Sequence, residues 1–154
     1  MVVRNNEEFQ QSIHHFIPDY IAEVTDLANR SMTESYDHKV IMDAYRKWPE
    51  GFLMGLHGRT LTGFIAGSKF MRTEARILLL AVDEKYRRLG IGSALISRFM
   101  EICRQNGFMS IRLEVRTDNT AAISFYRNHG FSITATMPYY YSDLSDAFQM
   151  WRLL

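Results

Sequence analysis

An apolar segment, a basic turn with two glycines and a long amphipathic segment follow one another in residues 76–105 of this chain. The apolar run ILLLAV is typical of a buried strand, and residues 91–105 place apolar side chains at helical spacing. Gly90 and Gly92 leave main-chain N–H groups uncovered where the helix begins, and the positive end of the helix dipole attracts anions. This order predicts an α/β fold with an anion site, suited to a pyrophosphate, at the turn.

The glycine turn has three competing interpretations. A dinucleotide-binding fingerprint requires a third glycine at the position of Leu95, and a P-loop requires Gly-Lys-Ser/Thr, which is absent. A tight turn that holds no ligand stays open from composition alone. The basic residues Lys85, Arg87 and Arg88 beside the glycines favour a small anionic ligand.

Composition limits the class of protein. The 154 residues are 47% hydrophobic and 23% charged, which is the balance of a soluble globular domain. We therefore expect a single domain over residues 1–154, with the polar residues 1–11 as an N-terminal extension. A net charge of +1 argues against a nucleic-acid partner. No apolar run reaches the roughly 18 residues of a membrane-spanning helix, so no membrane partner is expected.

The single cysteine, Cys103, excludes an internal disulfide and provides no cluster of metal ligands. It lies on the apolar stripe of its predicted helix, so we expect a core residue rather than a nucleophile. The N-terminus also lacks the basic and apolar blocks of a secretory signal. These features predict a cytoplasmic protein without a metal.

Periodicity and turn residues predict the element order β-α-α-β-β-β-α-β-α-β-β, an α/β (α+β) sandwich with a mixed central sheet of six to seven strands and about four helices. The continuous apolar run of the strand 76–83 predicts burial on both faces and a central place in the sheet. The predicted strands are 12–17, 51–56, 60–70, 76–83, 109–115, 131–136 and 147–153. The predicted helices are 19–31, 37–47, 91–105 and 119–129.

Two segments carry a known pattern. The hexapeptide RRLGIG at 87–92 matches Arg/Gln-x-x-Gly-x-Gly/Ala, and residues 111–131 match a second signature, in which Asn begins a helix and Phe-Tyr precedes Gly-Phe. In both signatures and in its element order the chain resembles the GNAT (Gcn5-related) N-acetyltransferases. It is most similar there to the protein N-terminal acetyltransferases of the RimI and Ard1 (Naa10-like) group, through residues 32–54, 113–116 and 140–150.

The resemblance implies that acetyl-CoA binds in a gap between the strands 76–83 and 109–115. Main-chain groups of the first strand would pair with the pantetheine, one N–H would face the thioester oxygen, and the glycine turn would hold the pyrophosphate. The residues implied for the cofactor are Leu80, Ala81, Val82, Arg87, Arg88, Leu89, Gly90, Ile91, Gly92, Ser93, Asn119 and Tyr126.

The resemblance also implies two catalytic residues. Glu114 would take the proton of the acceptor amine, directly or through a water, and Tyr126 would protonate the departing CoA thiolate. A solvated strand carboxylate is the alternative for Glu114, and packing in its helix is the alternative for Tyr126. Asn119 is also expected to cap its helix, which is an alternative to cofactor contact.

The acceptor implied by the resemblance is the α-amino group of a protein or peptide N-terminus. Glu34, Tyr36, Tyr140 and Tyr141 would contact it, with loop solvation or aromatic packing as the alternatives. An enzyme for another amine (a polyamine, an aminoglycoside or a lysine side chain) and a CoA-binding module without catalysis stay open. A monomer or a homodimer is expected.

Overall fold

The structure, a computed structural model, describes residues 11–154, so the predicted extension over 1–11 lies, apart from Gln11, outside the described residues. In residues 11–154, seven strands and four α-helices follow one another in the predicted order. The strands are β1 (Ser12–His15), β2 (Phe52–His57), β3 (Thr60–Met71), β4 (Glu74–Val82), β5 (Ser110–Arg116), β6 (Ser132–Met137) and β7 (Ala147–Leu153). The helices are α1 (Ile21–Ser31), α2 (His38–Lys47), α3 (Ile91–Gln105) and α4 (Thr120–Asn128).

Local sequence explains where the helices begin and end. The side chain of Asp37 accepts a hydrogen bond from the N–H of Val40 at 2.9 Å and so caps α2, which ends just before Trp48-Pro49. Helix α3 begins after Gly90 and ends before Gly107, and both glycines have positive φ angles, of 78° and 80°. No helix within residues 11–154 has the length and apolar character needed to cross a membrane.

The strands form one mixed sheet in the order β1-β2-β3-β4-β5-β7-β6, which confirms the predicted fold class. Neighbouring strands are antiparallel except β4 and β5, which are parallel and joined through α3. This parallel pair shares only three residue pairs, from Glu74↔Ser110 to Arg76↔Arg112. Beyond them the sheet is open between β4 and β5, although each strand continues.

Two hydrophobic clusters cover the two faces of the sheet. Phe52 and Phe64 belong to the cluster that contains α1 and α2, whereas their neighbours Leu53 and Ile65 belong to the cluster that contains α3 and α4. Successive residues of a strand point to opposite faces, so the helix pairs lie on opposite sides of the sheet. All four side chains are at most 1% exposed, which makes β2 and β3 the rigid base beside the open gap.

Strand β4 is central, as predicted, but the prediction that both of its faces are buried is wrong. Its pairing with β3 skips one residue, because Ala66 pairs with Leu79 and Gly67 pairs with Ile77. Leu78 is therefore a bulge residue, and 39% of it is exposed. The apolar run therefore marks a central strand whose last residues border an open gap in the sheet.

Candidate active site

The open gap between β4 and β5 can receive an extended ligand. From Leu79 to Val82 the main chain of β4 pairs with β3 on one side and has no strand partner on the other. Unpaired main-chain groups at a sheet edge are suited to pair with the amides of an extended ligand. Leu80, Ala81 and Val82 lie on this free edge, and the Ala81 side chain faces away into the α1 and α2 cluster.

The turn after β4 leaves main-chain donors free. Arg88 and Gly90 have positive φ angles of 64° and 78°, and no side chain caps the start of α3. The first N–H groups of a helix have no intrahelical acceptor, so those of Ile91, Gly92 and Ser93 are available to an anion. The exposed turn residues are Arg87, Arg88, Leu89 and Gly90, and the Ile91 side chain is buried in the core.

The two glycines of the turn serve different purposes. A Cβ on Gly90 would meet nothing within 4 Å, so the positive φ angle explains this glycine. A Cβ on Gly92 would lie 3.3 Å from the ring of Phe125, so this glycine lets α4 approach the start of α3. Free donors, an unobstructed approach and nearby arginines fit the diphosphate of a CoA thioester at this turn.

Two connected cavities lie below the gap, of about 190 Å³ and about 710 Å³. Both are lined by Leu78, Glu114 and Tyr141, which mark the place where they meet. The smaller cavity is bounded by the α1–α2 segment, β4, β5 and α4, and the larger one extends along α2. The structure brings these predicted residues to the two cavities: Glu34, Tyr36, Leu80, Glu114, Asn119, Tyr126, Tyr140 and Tyr141.

Glu114 of β5 is held between two arginines. Arg76 Nε donates to Glu114 Oε2 at 2.9 Å, and Arg112 Nε lies 3.6 Å from Oε1. The side chain of Glu114 is only 7% exposed, which disagrees with the alternative of a solvated strand carboxylate. Glu114 lines both cavities, so its side chain would lie beside an amine that binds there.

Tyr126 of α4 closes the smaller cavity from the side of α4. The residue is 9% exposed, and its ring packs edge-on against Phe125 and Phe131. Burial raises the pKa of the Tyr126 hydroxyl well above its usual value, and the nearby Tyr141 raises it further by a smaller amount. The hydroxyl is therefore protonated at neutral pH.

A contact between two loops covers the cavities. Glu34, between α1 and α2, accepts hydrogen bonds from the N–H of Ser142 at 3.0 Å and from its hydroxyl at 2.8 Å. These bonds, led by the one from the N–H, lower the pKa of Glu34. Arg116 Nη2 lies 4.0 Å from Glu34, and Arg116 Nη1 donates to Asp143 at 3.0 Å. We call this contact between Glu34 and Ser142 the loop bridge.

Tyr140 and Tyr141, the two predicted tyrosines of the β6–β7 connection, lie next to the loop bridge. Their rings meet edge-on with centroids 5.0 Å apart, and Arg76 donates to the hydroxyl of Tyr140 at 2.7 Å. The guanidinium of Arg116 lies 4.2 Å from the centroid of the Tyr141 ring. Burial raises the pKa of Tyr141 to about 12. The Tyr141 hydroxyl is therefore protonated at neutral pH, and the hydroxyls of both tyrosines can form hydrogen bonds with a polar acceptor chain.

Two further predicted residues have structural contacts. Asn119 caps α4, because its Oδ1 accepts from the N–H of Ala122 at 3.1 Å, and it also lines the smaller cavity. Cys103 is fully buried in the cluster under α3, and burial raises the pKa of its thiol to about 12. A thiol of this kind is a core residue, in agreement with the sequence analysis.

The structure also shows site residues that sequence reasoning missed. Arg76 is paired with Glu114, Ser142 completes the loop bridge, and Asn29 fixes Tyr36 through two hydrogen bonds of 2.8 Å with its main chain. Arg76 and Ser142 meet residues far away in the sequence, and Asn29 meets a residue seven positions away, so no local periodicity marks any of them. One sequence feature could have indicated Arg76 as a site residue: it is a charged residue at the start of an apolar strand.

Comparison with known proteins gives the same fold and family. The model of the acetyltransferase (GNAT) family matches residues 21–131. The chain is 28% identical over 134 residues to N-alpha-acetyltransferase 30 of Schizosaccharomyces pombe, covering 84% of this chain and 89% of that protein.

Two solved structures have the same fold as this chain. Ard1 from Thermoplasma volcanium is 51% identical, with a TM-score of 0.92 over 94% of this chain and 97% of that one. Arabidopsis thaliana Naa50, in complex with the bisubstrate analogue CoA-Ac-MVNAL, is 26% identical, with a TM-score of 0.83 over 92% of this chain and 97% of that one. The open β4–β5 gap, the glycine turn and the family match together identify the chain as a member of the GNAT family of acetyltransferases.

Proposed function

We propose that this protein is an acetyl-CoA-dependent N-acetyltransferase that acetylates the α-amino group of a protein or peptide N-terminus. One observation carries the proposal: the gap between β4 and β5 opens into a cavity that both Glu114 and Tyr126 line. The similarity to N-alpha-acetyltransferase 30 and to Ard1 supports the same acceptor.

Residues on both sides of the gap would hold the cofactor, which supplies the acetyl group as a thioester. The free edge at Leu80, Ala81 and Val82 would pair with the pantetheine amides. The diphosphate would meet the free N–H groups of the turn, with charge from Arg87 and Arg88. The further turn residues in this proposal are Leu89, Gly90, Ile91, Gly92 and Ser93, with Asn119 beside the CoA arm.

Two side chains would then carry protons while the acetyl group moves. Glu114, directly or through a water, would take a proton from the acceptor ammonium, and the freed amine would form a C–N bond to the acetyl carbon. The C–S bond would break in the same transfer, and the Tyr126 hydroxyl would donate its proton to the departing sulfur. The second proton that the nitrogen loses as the amide forms would return to the Tyr126 oxygen. An N–H on the free edge of β4 would face the carbonyl oxygen, where negative charge develops.

The charges of the larger cavity favour a chain terminus over a polyamine. Glu34 and Glu114, two of its carboxylates, are already in contact with Ser142 and Arg76, and Lys47 adds a further positive charge. A polycation finds few free carboxylates there. An α-amine, with a reference pKa near 7.7–8.0, also costs about 3.5 kcal/mol less to deprotonate at neutral pH than a lysine side chain near 10.4.

A side-by-side turnover assay tests the acceptor. Acetyl-CoA consumption is measured with a panel of free N-terminal peptides, with spermidine and with an aminoglycoside. We expect turnover with peptides and a kcat/KM for the small amines that is lower by about 100-fold or more. A preference for the small amines would overturn the acceptor and leave the cofactor site standing.

The loop bridge gives a prediction for peptide binding. Glu34→Gln removes the charge that faces Arg116 and weakens the contact with Ser142, so the cover over the acceptor loosens. We expect the KM for a peptide to rise about three- to tenfold, with kcat and the KM for acetyl-CoA within about twofold. Because the pKa of Glu34 is lowered, the bridge should persist to a lower pH than an ordinary glutamate would allow.

Initial rates with the peptide varied measure this effect. Asp26→Asn, at an exposed carboxylate of α1 that pairs with Arg30 at 2.8 Å, is the matched control and should leave both KM values unchanged. An equal rise in the KM for acetyl-CoA in Glu34→Gln would show that the bridge supports the whole cleft rather than the acceptor alone.

The assignment to the RimI-like group, the cytoplasmic location and the single domain over residues 1–154 belong to the same proposal. Similarity to Ard1 supports the group. The single cysteine, Cys103, which is buried and free, supports a location in a reducing compartment.

A further inference from the structure

The C-terminal end of α4 contacts the first turn of α3 through His129. Its Nδ1 lies 2.7 Å from the carbonyl oxygen of Phe125, and its Nε2 lies 3.1 Å from the hydroxyl oxygen of Ser93. A carbonyl oxygen only accepts, so Nδ1 carries a hydrogen and donates it. In the neutral ring Nε2 is then an acceptor, and the hydroxyl of Ser93 donates to it.

The hydrogen bond between Ser93 and His129 determines whether the Ser93 hydroxyl can donate a hydrogen bond to a ligand. Ser93 is in the first turn of α3, beside the free N–H groups of Ile91 and Gly92. While its one hydrogen is directed to His129, only lone pairs remain for the ligand, and these repel phosphate oxygens. When Nε2 is protonated, it donates to the Ser93 oxygen instead, and the hydroxyl hydrogen is released for a phosphate oxygen.

We propose that His129 is a positioning residue that takes up a proton when the CoA diphosphate binds and thereby turns Ser93 into a hydrogen-bond donor to that diphosphate. The proposal rests on the cofactor site described under the proposed function. It adds a residue outside the glycine turn and a dependence of cofactor affinity on pH.

The ring of His129 has basic neighbours and no acidic partner among the described residues. Arg152 of β7 donates to the His129 carbonyl, Arg127 precedes it on its own helix, and α3 contributes only the Ser93 hydroxyl to the contact. Within residues 11–154 no carboxylate forms an ion pair or a hydrogen bond with the ring. A bound diphosphate would supply the missing negative charge. The C-terminal end of α4 contributes further negative potential, because it is the negative end of the helix dipole.

Calorimetry with 3′-dephospho-CoA as the probe tests the proposal. This compound retains the diphosphate and lacks the terminal phosphate, whose own titration overlaps that of histidine. Binding is measured between about pH 6 and pH 8, the range in which histidines titrate, in two buffers of different ionisation enthalpy. We expect uptake of a fraction of a proton on binding, and an affinity about three- to tenfold higher at the acidic end.

Three variants separate the explanations. His129→Gln and Ser93→Ala should each abolish the proton uptake and flatten the pH dependence, whereas His15→Gln, at an exposed histidine of β1, should retain both. Retained uptake in Ser93→Ala would overturn the proposal, because the ring charge would then act without the hydroxyl. Wild-type binding without uptake would overturn it as well, and no binding of the probe at any pH would remove the cofactor site itself.

Discussion

Replacement of Tyr126 by phenylalanine is expected to lower kcat by about 100-fold or more and to leave the KM for acetyl-CoA within about threefold. The variant loses the proton donor for the departing sulfur. It keeps the ring, which packs edge-on against Phe125 and Phe131, so the shape of the cavity is retained. Because burial raises the pKa of the Tyr126 hydroxyl, this donor stays protonated throughout the neutral range. Initial rates with acetyl-CoA varied give both constants.

A matched hydroxyl deletion controls for the loss of an oxygen from a packed tyrosine. Tyr45→Phe, in α2, removes a hydroxyl from a ring that packs edge-on at 5.2 Å against Phe16. It should leave kcat unchanged. If Tyr126→Phe also kept its full kcat, the tyrosine would be a packing residue, which is the alternative that the sequence left open.

Replacement of Glu114 by glutamine is expected to lower kcat/KM for a peptide by about 100-fold at pH 7, with a deficit that shrinks to less than about tenfold at pH 9. A free α-amine has a reference pKa of about 7.7–8.0, so at pH 7 most of the acceptor is ammonium and must lose a proton. At the higher pH the amine is already neutral, and a base is needed less. The ratio of variant to wild-type rates across pH is the measurement.

The pH dependence separates catalysis from structure. Glutamine also leaves the guanidinium of Arg76 without its anion, which lowers stability to a similar extent at pH 7 and at pH 9. A deficit of constant size across the pH range would assign Glu114 to holding the arginines in place. Glu101→Gln, at a surface carboxylate of α3 that pairs with Arg98 at 3.0 Å, is the control and should show no deficit.

Local sequence was sufficient for most of the fold. The predicted bounds of α3 and β7 agree with the structure, because glycines and an apolar stripe mark the helix and alternation marks the strand. The bulge at Leu78 was missed, since it exists only in the pairing of β4 with β3. The error about the two faces of β4 has the same origin, because an apolar run does not show which elements pack against each face of the strand.

The candidate site also contains residues that the sequence could indicate and contacts that it could not. The residues near the glycine turn follow one another in the sequence, so a motif could indicate them. The loop bridge joins Glu34 to Ser142, which are 108 positions apart, and the pair of Arg76 with Glu114 spans 38 positions. Contacts of this kind depend on tertiary packing, so no motif pairs Glu34 with Ser142 or Glu114 with Arg76.

The most direct test uses one peptide with two amines, a free N-terminal α-amine and an internal lysine side chain. The peptide is incubated with the protein and acetyl-CoA, and fragmentation mass spectrometry locates the acetyl group. The proposed function predicts acetylation of the α-amine while the lysine stays free. Acetyl groups on the lysine of molecules whose α-amine is still free would contradict it.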